Sequence, residues 1–266
     1  MNDKGKIDIG GYQLHYHCMG EGSPTVVMEA GGGSPLDQWS LVQPQVAQFT
    51  RVFTYDRAGL GKSDEAPTPR TIQQMVIELH TLLENAGIER PYVLVGSSFG
   101  GFIVRLFASR YTQEVAAIIL VDAGHEDYVT RQMALLLPEE KQAFLVQWQQ
   151  LVATLPPSVQ LEMRAYNNED RAELFAVNRL PELPLVVITH GISDSSLFTG
   201  VPTHKIEASE KLWLELQNEL VNLVPNGTHI IAEQSRHNIP QDQPELVIDA
   251  IRRAVEAARN QDKSCP

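Results

Sequence analysis

The chain is poor in cysteine and in positive charge, and it lacks any long apolar run. Cys18 and Cys265 are the two cysteines among 266 residues. Neither has the spacing of a metal or redox site, so both read as incidental, in keeping with a reducing compartment. Against 33 Asp and Glu stand 21 Lys and Arg, a formal charge of −12. With no basic cluster and no aromatic–basic interleaving to offset it, that charge excludes nucleic acid and anionic membrane as expected partners. No apolar stretch approaches the ~20 residues of a membrane helix. Met1-Asn2-Asp3-Lys4-Gly5-Lys6 has no apolar core like that of a signal peptide. The expectation is a cytoplasmic protein without a membrane partner. No His, Cys and carboxylate grouping has metal-ligand spacing, so no metal is expected.

What is present is an alternation of strand-like and helix-like segments. Hydrophobic residues make up 43% of the chain, enough for a sizeable core. Strands are expected at Lys6–Ile9 and Gln13–Cys18, joined through Gly10-Gly11, then at Thr25–Glu29, Arg51–Tyr55, Tyr92–Val95, Ala116–Val121, Leu185–Thr189 and His229–Ala232. Helical spacing is read from about Asp37 to Phe49, over Thr71–Ala86 with a stop at Gly87, after the turn at Gly96, around Leu212 to Leu223, and over Pro244–Ala258. Several strands are apolar on both faces, as in a parallel sheet covered by helices. The rhythm breaks over residues 125–183, which are amphipathic, helix-like and punctuated by Pro138, Pro156-Pro157 and Pro181. The chain is therefore read as a core of residues 1–124 and 184–266 with a helical insertion over the sheet at 125–183. Helices packed plainly on the flank are the simpler alternative.

The most informative segment is Val93-Leu94-Val95-Gly96-Ser97-Ser98-Phe99-Gly100-Gly101. An apolar strand meets a Gly-x-Ser-x-Gly turn, and a helical pattern (Phe102, Ile103, Leu106, Phe107) follows at once. This order is what a nucleophile elbow requires. A sharp turn tolerates no Cβ at its flanks, and Gly96 and Gly100 supply none. Ser98 is then held in a strained backbone conformation with its hydroxyl exposed. The N–H groups at the following helix start face the same point, where they can stabilise negative charge.

A serine hydroxyl needs a base, and the base needs an orienting acid. In hydrolases with such an elbow the order is Ser, acid, His, with the His after the last strand. Of eight histidines, His237 alone occupies that slot. The others, His190 included, are read as structural or as contacts of the insertion. With these pieces the sequence resembles the α/β-hydrolase superfamily over most of its length. The resemblance rests on Val26-Val27-Met28-Glu29-Ala30-Gly31-Gly32-Gly33, on Tyr55-Asp56-Arg57-Ala58-Gly59-Leu60-Gly61-Lys62-Ser63, on the elbow and on the His237 segment. It implies an α/β fold, a mostly parallel central sheet flanked by helices with residues 125–183 as a helical lid. It also implies an oxyanion hole made by the backbone N–H groups of Gly32 and Phe99, with Gly33 as a weaker alternative to Gly32. Two departures stand out: Ala30 where the family usually has His, and Arg236 where it usually has Gly.

The acid has two candidates. Most of the family places it after the strand that follows the lid, here Asp194. Some members place it one strand earlier, here Asp122. A carboxylate closing a wholly apolar strand is costly unless paired, which favours Asp122. Asp194 lies in a polar, Ser-rich loop where an Asp is unremarkable. The segment Gly61-Lys62-Ser63 ends like a phosphate-binding loop, but the first Gly that motif needs is replaced by Asp56.

The expected activity is hydrolysis of a small or medium carboxylic ester through an acyl-enzyme, without cofactor. Phe144 and Trp148 of the insertion are candidate substrate contacts and suggest a small-molecule ester with an apolar part. Lactonase, thioesterase, amidase, perhydrolase or C–C bond hydrolase activity uses the same machinery. A weakly catalytic ligand receptor of the same fold is a further alternative. Ser at the elbow argues against haloalkane dehalogenase and epoxide hydrolase chemistry, which uses a carboxylate there.

Overall fold

The computed structural model describes residues 2–167, 174, 177, 180 and 182–264. Its strands are β1 (Asn2–Asp8), β2 (Gln13–Met19), β3 (Thr25–Glu29), β4 (Val52–Tyr55), β5 (Tyr92–Ser97), β6 (Val115–Val121), β7 (Leu185–His190) and β8 (Thr228–Ala232). They form one 8-stranded sheet in the order β1-β2-β4-β3-β5-β6-β7-β8. Only the β1–β2 and β2–β4 pairings are antiparallel; the rest of the sheet is parallel.

Strand alternation sorts the apolar residues into two layers. Val27, Leu94, Ile118 and Leu120 face one cluster with Met75, Leu79, Phe102, Leu106 and Leu220. These come from helices α2 (Ile72–Asn85), α3 (Gly100–Arg110) and α7 (Ile206–Val221). Val26, Met28, Val93, Val95, Ile119 and Val121 face the other cluster, with Val42 and Val46 at α1 (Gln43–Val46) and Val247, Ile251 and Val255 of α9 (Pro244–Ser264). A sheet buried on both faces explains why its central strands carry no polar alternation.

The helix expected over residues 37–49 is not continuous. A 3-10 turn spans Leu36–Trp39, and α1 covers only Gln43–Val46. Pro44 has no N–H to give a preceding turn, but it is tolerated in the first turn of a new helix, so the helix restarts there. At α2 the Thr71 side chain accepts from the Gln74 N–H at 3.0 Å, a side-chain N-cap.

Between β6 and β7 lie α4 (Tyr128–Ala134), α5 (Pro138–Thr154) and α6 (Pro157–Asn167). Part of this stretch packs into the core. Ala165, Leu174, Val177 and Leu180 belong to the same apolar cluster as α2 and α3. Helix α5 is different, with no fully buried residue and with Leu145, Val146 and Leu151 exposed. The short α8 (Ile239–Asp242) precedes α9.

The turn from β5 into α3 is steric in origin. A Cβ at Gly96 would lie 2.6 Å from Val104 Cγ2 and 2.7 Å from the Gly100 carbonyl oxygen. One at Gly100 would lie 2.5 Å from the Glu29 oxygen and 2.7 Å from that of Ala30. Gly100→Ala therefore pushes α3 away from β3. It is expected to lower the unfolding free energy by about 1–3 kcal/mol, the usual cost of overpacking. Urea denaturation reads this directly, and an unchanged midpoint would mean that the turn opens freely.

Candidate active site

The parallel strands deliver their chemistry at their carboxyl ends, where ligands of open α/β sheets bind. The loop Ala30–Gly33 follows β3, Ser98 follows β5, Asp122 follows β6, His190 closes β7 and His237 lies on the loop after β8. Ser98 and Asp122 are the two non-glycine residues with positive φ among the described residues, at 48° and 45°. Such strain persists only where surrounding bonds over-determine it. At Ser98 they do: its N–H donates to the Val121 carbonyl at 3.0 Å, and its carbonyl accepts from Gly101 at 3.0 Å and Gly124 at 2.9 Å. The Asp122 N–H donates to the Ile188 carbonyl of β7 at 2.7 Å.

The structure brings three side chains into line. His237 Nε2 lies 3.0 Å from Ser98 Oγ, and His237 Nδ1 lies 2.6 Å from Asp122 Oδ2. With Nδ1 donating to a carboxylate, Nε2 is left as the acceptor for the serine hydroxyl. Asp194 meets the same histidine elsewhere: its Oδ2 accepts from the His237 main-chain N–H at 3.2 Å. Asp122 is fully buried, and Oδ1 also accepts from Trp213 Nε1 at 2.9 Å. Burial disfavours its charged form. The hydrogen bonds from His190 and His237 outweigh burial and hold the carboxyl well below the usual range.

The Ala30–Gly33 loop is held by a buried ion network that the sequence reading did not single out. Arg57 donates to Glu29 Oε1 at 2.5 Å and to the carbonyls of Ala30 and Gly31, each at 2.7 Å. It also reaches both carboxylate oxygens of Glu162 on α6, at 2.6 and 3.0 Å. Glu29 accepts in addition from the Tyr55 hydroxyl. Burial pushes the Glu29 carboxyl up, against the pull of Arg57. Glu162 closes the clamp by accepting the Gly33 N–H at 2.7 Å. That amide is committed. The Gly32 and Phe99 N–H groups have no hydrogen-bond partner among the described residues. Helix α6 lies directly on this loop: a Cβ at Gly32 would meet Met163 Cε at 2.7 Å, and one at Gly33 would meet Val159 Cγ1 at 2.8 Å. The only sequence signal for the network was its placement, since Glu29 ends an apolar strand and Arg57 opens the loop that carries the family resemblance.

A cleft of about 490 Å³ opens above Ser98 and His237, walled by Gly31, Gly32, Ser34, Asp37, Gln38 and Gln241 among others. Phe144 and Trp148 are not among its described lining residues. Both stand on α5. Phe144 lies beside Gly200, and Trp148 lines a separate cavity with Val152, Gln160 and Met163. Helical periodicity places the two residues on one face but does not say what that face meets. Arg236, the charge beside His237, is exposed. Among the described residues, the donor atoms that lie close enough together to hold a metal belong to Asp122, His190 and His237, and these atoms are occupied by the hydrogen bonds between them.

A mostly parallel sheet with a serine on the strand–helix turn and a histidine after the last strand is the architecture of α/β-hydrolase-type proteins. Residues 24–180 match the family described as the alpha/beta hydrolase fold, and the chain belongs to that family. The uncharacterized protein YqjL of Bacillus subtilis (strain 168) is 30% identical over 245 residues, covering 91% of this chain and 88% of that protein. A thermophilic esterase from Thermogutta terrifontis has a similar structure, with a TM-score of 0.65 at 20% identity over 97% of this chain and 99% of that one. The epoxide hydrolase CorEH gives a TM-score of 0.67 at 18% identity over 95% and 98%. At these identities the two structures are likenesses of fold. No helix among the described residues is long and apolar enough to cross a membrane.

Proposed function

We propose that the protein is a serine hydrolase that cleaves a small or medium carboxylic ester through an acyl-enzyme. The observation that carries this reading is the line from Ser98 Oγ to His237 Nε2 at 3.0 Å and from His237 Nδ1 to Asp122 at 2.6 Å. Ser98 attacks the ester carbonyl as His237 takes its proton. Asp122 fixes the imidazole tautomer and stabilises the imidazolium. The Gly32 and Phe99 N–H groups receive the oxyanion. His237 returns the proton to the departing alcohol, then activates water to release the acid. These steps draw on no cofactor or metal. An esterase and an epoxide hydrolase share the fold; a serine at the elbow favours acyl transfer over the carboxylate chemistry of epoxide opening.

Residues 125–183 serve as the lid, a reading supported by the contact of α6 with Gly32 and Gly33. The described wall of the cleft mixes glycines and Pro35 with Ser34, Asp37, Gln38, Ser40 and Gln241, and carries no large apolar side chain. It favours a compact acyl group, and Phe144 and Trp148 are not part of that wall. Turnover of p-nitrophenyl esters from acetate to decanoate tests this. The expected result is hydrolysis that falls steeply with chain length, together with labelling of Ser98 by a fluorophosphonate. Absence of both turnover and labelling would overturn the reading. A maximum at decanoate would overturn the compact acyl group.

A further inference from the structure

Asp122 holds a second histidine that the chemistry of Ser98 does not use. His190, the last residue of β7, places Nδ1 2.7 Å from the same Oδ2 that meets His237. Its Nε2 lies 3.0 Å from Oε2 of Glu210 on α7. Ionised carboxylates only accept hydrogen bonds. An imidazole between two of them satisfies both only with a proton on each nitrogen, as the cation. Oε1 of Glu210 also accepts, from the Ser193 hydroxyl and from the Asp194 N–H at 3.0 Å. The His190 side chain is 4% exposed and that of Asp122 0%, so water screens the pair weakly.

Resting on the reading of Ser98 as nucleophile and His237 as base, we propose that His190 is a positioning residue. Held as an imidazolium between Asp122 and Glu210, it fixes Asp122, shares its charge and so lowers the basicity of His237. The hydrogen-bonded line then runs Ser98, His237, Asp122, His190, Glu210. The other charged groups near His237 are Asp194, at its main-chain N–H, the exposed Arg236 that precedes it, and Asp37 on the wall of the same cleft. Trp213, against both imidazole rings, carries no charge. Burial opposes a charge on His190, but Asp122 and then Glu210 outweigh it and raise its pKa to about 9. The consequence falls on the acid side of the pH profile. A half-neutralised aspartate holds the His237 imidazolium less strongly than a bare carboxylate would, in the free protein and in the transition state alike.

The test compares the pH dependence of kcat/KM on a short-chain p-nitrophenyl ester between the wild type and His190→Gln, with His190→Asn in parallel should the first not fold. Both variants keep a donor toward Asp122 and remove the charge. The acid limb is expected to move up by about one pH unit or more, the usual effect of one charge at this range. A limb that stays in place or moves down overturns the proposal. Ring-nitrogen NMR of the wild type reads His190 without turnover. The expected result is a doubly protonated ring at neutral pH that titrates at about 9, and lower in Glu210→Gln. A neutral ring at neutral pH overturns the proposal whatever the variants do. A wild type that hydrolyses no ester would instead sink the proposed function, with the NMR result still deciding the charge on His190.

Discussion

Ser98→Ala is expected to lower kcat on a p-nitrophenyl ester by about 10⁵- to 10⁶-fold, the scale on which a triad nucleophile is lost elsewhere. The loss should fall on kcat. The serine hydroxyl acts in the chemical step and not in building the cleft wall, so kcat and kcat/KM should fall together with KM little changed. The variant should fold, because the bonds that pin residue 98 are main-chain bonds to Val121, Gly101 and Gly124. Alanine meets the same cost as serine at φ 48°. Some turnover should remain, about 10³-fold above water, since the oxyanion amides and the cleft are untouched. Turnover near the wild-type rate in a folded Ser98→Ala protein would remove the acyl-enzyme from consideration.

Asp122→Asn is expected to cost roughly 10⁴-fold in kcat, whereas Asp194→Asn should cost less than about tenfold. The difference lies in which atom of His237 each aspartate meets. An amide at position 122 can present a donor to Nδ1. That favours the tautomer with its proton on Nε2, which faces Ser98 and can no longer accept from it. His190 would also lose the anion that compensates its charge. Asn at position 194 still offers an oxygen to the His237 main-chain N–H. Stopped assays across pH on both variants check this. A large loss in Asp194→Asn beside a small one in Asp122→Asn would reassign the acid.

The choice between these aspartates was the point at which sequence reasoning stopped. Both close loops at the carboxyl ends of neighbouring strands, and either loop can reach a histidine after the last strand. Burial cost singled out Asp122 but could not name its partners. The β6–β7 register decides them. It brings His190 beside Asp122 and leaves Asp194 at the main chain. From sequence His190 reads as a structural residue. Nothing in its local sequence announces a charge, because Glu210 and Asp122 lie 20 and 68 residues away. The broken helix at Trp39 and Gln43 was missed for a different reason: its apolar spacing is helical, and Pro44 alone marks the restart.

The sequence by itself determined what depends on near neighbours. The elbow at Ser98 is a local object: a buried strand, two glycines that leave room for crossing backbone, and a helix that starts at once. The sheet's layering follows from strands apolar on both faces, and His237 was placed by its position after the last of them. Tertiary structure alone decided what depends on long closures. His237 meets Asp122 across 115 residues and Ser98 across 139. The clamp of Arg57 on Glu162 spans 105. Hydrogen-bond geometry at that separation is set by strand register and by how α6 seats on the Ala30–Gly33 loop. A pattern of residue types carries neither, because the same pattern is compatible with a register or a seating shifted by one turn.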